Sequence, residues 1–115
     1  MKTTRNIGQE GEDTATNYLV EKGYTILIRN FRTNFGEIDI IAQHNEYIVF
    51  IEVKYRSSLD YGSPYEAVNK HKLYKLRRMV DYYYSINNTT LSPKIEVISI
   101  TKEDNSIRHI TGIIF

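Results

Sequence analysis

Apolar residues recur along the chain at two spacings, one typical of helices and one typical of strands. Positions three or four apart from about Arg5 to Lys22 predict a first helix, and the same spacing predicts a second helix from Ser63 to about Ser85. Branched and aromatic residues elsewhere predict five strands. The predicted strands cover residues 24–28, 36–42, 47–55, 95–100 and 107–115. The order α-β-β-β-α-β-β indicates an α/β fold in which helices flank a mixed β-sheet.

Polar segments predict where these elements begin and end. Residues 30–35 and 56–62 are polar, and we expect both to be connections. Ser63, Pro64 and Glu66 predict the start of the second helix. A serine cap and a glutamate three residues later bond free amides of a first helical turn, and proline fits the same turn.

Charged side chains interrupt the most apolar of the predicted strands. Residues 47–51 are apolar or aromatic at every position, and Glu52 and Lys54 follow directly. A strand that is apolar on both faces is normally interior to a sheet. An unpaired charge in such a strand costs several kcal/mol. These charges therefore need a partner, a bound cation or a reaction.

The preceding strand supplies more acids. A turn with its loop at residues 44–45 predicts a hairpin that sets Glu37 opposite Glu52. Side chains alternate along strands, so Glu37, Asp39, Glu52 and Lys54 are predicted to project from the same face. A register slip of one residue would separate them.

Three carboxylates this close repel one another unless a cation lies between them. Ligands that are all oxygens favour Mg²⁺ or Mn²⁺ over Zn²⁺. An ion held by Asp39 and Glu52 could activate a water against a phosphodiester, and Lys54 could orient that water or contact a phosphoryl oxygen. The competing interpretation is a structural ion pair at a strand end, since such pairs also contain perturbed acids.

Composition narrows the function classes only a little. The 115 residues suffice for one domain with a single core. The absence of cysteine excludes disulfides and thiolate metal sites. A net charge of +1 does not by itself imply a polyanionic partner. No apolar run reaches the length of a membrane span, so we expect a cytoplasmic protein without a membrane partner.

The spacing Asp39…Glu52-x-Lys54 resembles the active-site motif of the PD-(D/E)xK nuclease superfamily, with Ile38 in place of the motif's proline. Further residues are similar to one small bacterial family, which in turn resembles the archaeal Holliday-junction resolvases. The matching positions include Gly8, Gly11, Glu12, Asn30–Arg32, Gly36–Ala42, Phe50, Arg56, Pro64, Glu66–Val68, Lys72, Lys75 and Leu76. The resemblance implies that residues 1–115 form a single nuclease-like domain with a restriction-endonuclease-like core.

The resemblance also implies roles for individual residues. Asp39, Glu52 and a glutamate of the first helix, Glu12, would hold Mg²⁺ or Mn²⁺, and together with Lys54 they would form the catalytic site. Glu37 is expected to act on the site electrostatically rather than as a ligand. Residue 96 is a glutamate where the family tends to have an aspartate, and we assign it no role.

A basic segment is the candidate DNA-binding element. Residues 70–78 hold five lysines and arginines and no acid. Such a run is most often a solvated helix face, whereas the functional interpretation is a track for phosphates. The residues expected to bind nucleic acid are Lys72, Lys75, Arg56 and Lys70.

The sequence thus predicts a Mg²⁺-dependent endonuclease that cleaves DNA, with branched DNA as one candidate substrate. A four-way junction has two-fold symmetry, so a resolvase would need two coordinated sites, usually those of a homodimer. One alternative is a nucleic-acid-binding module that keeps the nuclease fold with little or no catalysis. A second alternative is a structural partner in a DNA-processing assembly.

Overall fold

The structure is a computed structural model that describes residues 4–56 and 70–113, with side chains from residue 9 onward. The elements follow the predicted order and are α1 (Thr4–Glu21), β1 (Thr25–Thr33), β2 (Gly36–His44), β3 (Tyr47–Arg56), α2 (Lys70–Ile86), β4 (Ser92–Thr101) and β5 (Ser106–Ile113). The predicted loop at residues 56–62 and the helix start at Ser63 lie, apart from Arg56, outside the described residues. Within the described part of the chain, no helix is long and apolar enough to cross a membrane.

The five strands form one sheet in sequential order, β1-β2-β3-β4-β5. Strands β3 and β4 run parallel, and every other neighbouring pair is antiparallel. A parallel pair cannot be joined by a tight turn, and α2 lies in the connection between β3 and β4. The predicted α/β architecture with a mixed sheet and flanking helices is therefore confirmed.

Each face of the sheet carries one helix and one apolar cluster. Ala15 and Leu19 of α1 pack on the face that includes Ile40 and Ile51. On the opposite face, α2 packs against a cluster that includes Phe50. The central strands β3 and β4 are covered from both sides, which explains why their sequences are apolar at consecutive positions.

The first strand is longer than predicted. Residues 30–33 were expected to belong to a polar connection, but β1 continues through them to Thr33. It is an edge strand, so many of its side chains face solvent and its sequence is polar. A register shift between Ile26 and Ile28 and a positive φ of 55° at Asn30 interrupt its regular geometry. Because of these irregularities, apolar and polar residues do not alternate along this part of β1, and the sequence pattern did not predict it as a strand.

The hairpin of β2 and β3 forms with a different register from the predicted one. The two-residue loop is at residues 45–46, so His44 pairs with Tyr47 and Ile40 pairs with Ile51. Asn45 adopts a positive φ of 55°, which asparagine tolerates in tight turns. The pairing is displaced by two residues from the prediction. A shift of two residues, one full strand period, keeps the predicted alternation only where the strands pair. Beyond Ile40 the alternation breaks, because Ile40 packs in the cluster with α1 whereas Ile38 packs in the cluster with α2.

Helix α1 approaches β3 closely at a glycine. A Cβ atom at Gly11 would lie 2.7 Å from the Tyr55 side chain, a distance that real Cβ contacts do not show. The glycine therefore lets the helix backbone pack directly on the Tyr55 ring. This contact sets the position of the next residue, Glu12, relative to the sheet.

Candidate active site

An open cavity of about 520 Å³ lies between α1, the start of β2 and the end of β3, with residues of β1 on its wall. Of the predicted catalytic residues, it contains Glu12, Asp39 and Lys54. Its lining residues are Gln9, Glu12, Asn30, Arg32, Glu37, Asp39, Val53, Lys54 and Tyr55. The structure thus brings residues from four separate elements to one place, three of them acids.

Asp39 lies where β2 and β3 stop pairing. The backbone register ends at Ile40 and Ile51, so Asp39 and Glu52 are the next positions on the two strands. Instead of a ladder bond, the Val53 amide donates a hydrogen bond to the Asp39 carboxylate at 2.7 Å. The carboxylate thereby satisfies a strand amide and is held at the inner wall of the cavity.

The pKa of Asp39 is raised to about 6, and desolvation is the largest cause. The hydrogen bond from Val53 lowers the pKa, whereas the nearby charges of Glu52, Glu12 and Glu37 contribute to the increase. A carboxyl group with this surrounding favours either a proton or a cation close to neutral pH.

Glu12 is almost fully buried, at 8% exposure, and it is held by β1. Arg29 Nε and Asn30 Nδ2 both donate to the same Glu12 oxygen, at 2.9 Å and 3.1 Å. Arg29 also donates to Asp13 at 2.6 Å, so its guanidinium bridges two acids of α1. The two β1 side chains therefore fix the orientation of Glu12 toward the cavity.

Glu52 lines a neighbouring cavity rather than that of Asp39. Its carboxylate forms an ion pair with the ammonium group of Lys72 from α2. Lys75 lines this second cavity as well, and Glu37 borders both cavities. Glu37 also pairs with Arg32 at 3.5 Å, near the rim. The sequence predicted that Glu52 would project beside Glu37, Asp39 and Lys54. The structure groups the last three in one cavity but places Glu52 in the neighbouring one.

Lys54 is exposed and lines the cavity of Asp39. Among the described residues Lys54 forms no ion pair, so a structural pair between Lys54 and Asp39 is not observed. Glu52 does form one, with Lys72, as the competing interpretation of a structural ion pair expects for a member of this cluster. The described residues also contain no group of three or more His, Cys, Asp or Glu side chains close enough to hold a metal ion.

The remaining predicted DNA-binding residues, Lys70 and Arg56, line neither of these two cavities. Lys70 is exposed at the first described turn of α2 and lines a groove with Tyr74, Arg77 and other residues of that helix. Arg56 is partly buried at the end of β3, where its carbonyl accepts the Lys102 amide hydrogen at 2.8 Å.

Three contacts of the site were not predicted from the sequence. Arg29 and Asn30 hold Glu12, and Lys72 rather than Lys54 pairs with Glu52. Asn30 belongs to the residues that are similar to the small bacterial family, which was the available signal for it. No local pattern connects Lys72 with Glu52, because the contact joins elements that are distant in the sequence.

A second polar cluster lies inside the sheet, away from this cavity. Glu96 of β4 is 3% exposed and accepts hydrogen bonds from the Tyr24 hydroxyl at 2.8 Å and from His109 Nε2 at 2.7 Å. The other ring nitrogen of His109 contacts the Tyr18 hydroxyl at 3.2 Å. Burial would raise the pKa of Glu96, but these hydrogen bonds outweigh burial and lower it.

Comparison with known proteins places the chain in a family. The sequence profile described as "Uncharacterised protein family UPF0102" matches residues 11–100, so the chain belongs to this family. A UPF0102 protein of Carboxydothermus hydrogenoformans is 43% identical over 102 residues, covering 88% of this chain and 86% of the relative. A second, from Thermodesulfovibrio yellowstonii, is 46% identical over 109 residues, covering 95% of this chain and 96% of the relative. A third, from Fusobacterium nucleatum, is 50% identical over 80 residues, covering 70% and 67%.

Proposed function

We propose that this protein is a metal-dependent endonuclease with a restriction-endonuclease-like core, and that it hydrolyses phosphodiester bonds of DNA at the cavity around Asp39. The observation that supports the proposal most strongly is the convergence of Glu12, Glu37, Asp39 and Lys54 on one open cavity. Structural ion pairs do not require an opening to solvent, whereas a site for a phosphodiester does.

The donor types in this cavity fit Mg²⁺ or Mn²⁺. All the acidic ligands available are carboxylate oxygens, and crowding and desolvation raise the pKa of Asp39. Asp39 and Glu52 would hold the ion, with Glu12 completing the site. When bound, such an ion would activate a water and offset the charge that builds on phosphorus.

The ion pair between Glu52 and Lys72 suggests how Lys72 takes part in substrate binding. Its ammonium group neutralises Glu52 in the structure. A substrate phosphate is an alternative partner for the same ammonium group. We propose that Lys72 transfers to a phosphate when DNA binds, which frees Glu52 for the cation. No three acids of the described residues are close enough to share an ion, so Glu52 would also have to move toward Asp39 when the pair opens.

The protein's own cations would then position the substrate. Lys54 lies in the same cavity as Asp39 and can donate to a phosphoryl oxygen or to the attacking water. Arg32 lies on the cavity wall, and Lys75 lies beside Lys72 in the neighbouring cavity. Phosphates that approach between the two cavities would meet positive charge on both sides.

A second candidate is a nucleic-acid-binding module that keeps the nuclease fold without turnover. The ion pair between Lys72 and Glu52 is the observation that favours it, since a permanent pair would block a metal ligand. The two candidates differ in whether the pair opens in the presence of DNA.

A cleavage assay on a panel of DNA structures separates the candidates. Labelled duplex, flap, splayed and four-way DNA are incubated with the protein in Mg²⁺, in Mn²⁺ and in chelator. We expect cleavage only with metal, and its loss in Asp39→Asn. Glu103→Gln, in an exposed turn, is the matched control and should cleave normally. Binding without cleavage would support the binding module, and neither binding nor cleavage would contradict both candidates.

A further inference from the structure

We infer that the tip of the β1–β2 hairpin and the outward side of α2 form a stacking platform for an unpaired base, so that the preferred DNA carries single-stranded nucleotides beside the cleaved bond. This inference deepens the proposed function and rests on it. The class of substrate is inferred from the surface next to the candidate active site. The platform is defined here as Phe35, Arg78, Tyr82 and Tyr74.

Phe35 is a large apolar side chain held at an exposed hairpin tip. It is 38% exposed, and its amide donates to the Thr33 hydroxyl at 3.0 Å, which fixes the turn. Gly36 follows with a φ of +147°, a backbone conformation that favours glycine. The tip therefore keeps part of an aromatic ring exposed to solvent next to the candidate site.

The ring of Phe35 already has the surroundings of a stacking site. The Arg78 guanidinium lies 4.3 Å from the ring centroid, and the Tyr82 ring meets Phe35 edge-on with a centroid separation of 6.3 Å. Tyr82 is itself 39% exposed and packs against Phe31, which anchors it to the sheet. Stacked bases are bound by such combinations of aromatic faces and guanidinium groups.

The platform adjoins the cavity of Glu52, which shares Glu37 with the cavity of Asp39. Phe35 and Glu52 line the same cavity, together with Lys72 and Lys75. On its other side, Arg78 belongs to a groove of about 400 Å³ that also includes Tyr74, a side chain with 60% exposure. A strand leaving the cavity past Phe35 would therefore enter this groove directly.

The charge of this surface identifies a nucleic acid as the occupant. Three cations, Lys70, Arg77 and Arg78, line the groove against one acid, Asp81. Exposed aromatic rings surrounded by lysine and arginine match a strand with apolar base faces and a phosphate on every nucleotide. A fully paired duplex would present only its phosphates, because its bases are stacked on one another and cannot reach the rings.

The test measures binding in chelator, so that cleavage does not enter. Two probes are used: a blunt duplex, and the same duplex with a single-stranded tail that carries 2-aminopurine at its first unpaired position. We expect the wild-type protein to bind the tailed duplex about tenfold more tightly than the blunt one. We also expect the 2-aminopurine fluorescence to change on binding, as the base stacks.

Three variants test whether Phe35 is responsible for the preference for the tailed duplex. Phe35→Ala should abolish both the fluorescence change and the preference for the tailed duplex, while leaving affinity for the blunt duplex within about twofold. Phe35→Trp should retain both properties, because it keeps an aromatic face. Leu27→Ala removes another exposed apolar side chain, from β1, and should behave as wild type. Circular dichroism verifies that each variant is folded.

The outcomes separate this inference from the proposed function. Equal affinity for both probes, or a preference that survives in Phe35→Ala, would overturn the platform and leave the nuclease proposal standing. A tail preference that depends on Phe35 supports the platform even if no metal produces cleavage, which would count against the nuclease proposal alone. Failure to bind either probe would overturn both.

Discussion

Two carboxylates within the same sheet, Asp39 and Glu96, have opposite electrostatic surroundings. Glu96 accepts hydrogen bonds from Tyr24 and His109, and its pKa is lowered although burial acts to raise it. Asp39 accepts one backbone hydrogen bond, and desolvation together with three neighbouring acids raises its pKa to about 6. Burial acts in the same direction on both groups, so it does not distinguish them.

The difference lies in the partners. The surroundings of Glu96 supply hydrogen-bond donors for its charge and are internally complete, which is what a structural role requires. The surroundings of Asp39 supply one hydrogen-bond donor and additional negative charge, and they border an open cavity. A folded protein keeps such an arrangement at a cost in stability, and sites retained for binding or catalysis are where that cost is expected.

The largest effect predicted from this comparison is on Glu96. Replacing it with alanine leaves the Tyr24 hydroxyl and the His109 ring without their acceptor inside the sheet. We expect Glu96→Ala to lower the free energy of unfolding by about 3–5 kcal/mol, since it removes two hydrogen bonds to a charged acceptor, each worth about 1.5–3 kcal/mol. Urea unfolding at pH 7 measures it, with Glu103→Gln as the exposed control.

The sign of the pH dependence follows from the lowered pKa of Glu96. A depressed carboxyl pKa contributes stability above the unfolded value of about 4, and the contribution is lost as the pH falls through the folded value. The difference between wild type and Glu96→Ala should therefore shrink in acid. A loss of less than about 1 kcal/mol at pH 7 would mean that the network does not stabilise the fold.

Asp39→Asn should have the opposite effect on stability. Because the folded pKa of Asp39 lies above the unfolded value, its ionisation at neutral pH opposes folding. The amide oxygen of asparagine can still accept the Val53 hydrogen bond. In chelator at pH 7 we expect the variant to gain up to about 3 kcal/mol, since two pKa units correspond to about that energy.

The gain should depend on pH in a defined window. It should be largest above the folded pKa of about 6 and should vanish below about pH 4, where the wild-type carboxyl is protonated in both states. Urea unfolding of both proteins from pH 4 to pH 8 measures it. If the variant instead lost about 3–5 kcal/mol at pH 7, Asp39 would be one half of a structural pair.

The smallest predicted effect concerns Lys72. Lys72→Met removes the cation that competes for Glu52, so Mn²⁺ should bind about tenfold more tightly to the variant in the absence of DNA, as expected for one pairwise charge contact near a surface. Lys75→Met is the matched control, since Lys75 lines the same cavity and carries the same charge. Equal Mn²⁺ affinity in the two variants would show that the pair with Glu52 does not limit metal binding.

The sequence predicted the two acids for a physical reason, because Glu52 interrupts an interior strand and Asp39 lies on its hairpin neighbour. The register error came from assigning His44 to the turn; it is the last residue of β2 and stacks on Tyr24 at 4.0 Å. The register error alone would have kept the predicted faces, because it spans a whole strand period. The two acids nevertheless do not share a face as predicted, since Asp39 lines the cavity beside Glu12 of α1 and Glu52 pairs with Lys72 of α2.

Other parts of the site could not be predicted locally. Strand β1 lies at the edge of the sheet and has irregular geometry, so polar and apolar residues do not alternate along it. The sequence pattern therefore did not indicate that Arg29 and Asn30 reach Glu12. The Glu96 network draws on α1, the start of β1, β4 and β5, which are joined only by the tertiary fold. Such contacts depend on packing between distant segments rather than on spacing within one.

Calorimetric titration with Mn²⁺ tests the central claim most directly, by comparing wild type, Asp39→Asn and the control Glu103→Gln. The account predicts that wild type and the control bind Mn²⁺ with equal affinity, that a non-cleavable duplex strengthens this binding, and that Asp39→Asn abolishes it. Equal affinity in Asp39→Asn would contradict the account, as would the absence of Mn²⁺ binding by the wild-type protein with the duplex present.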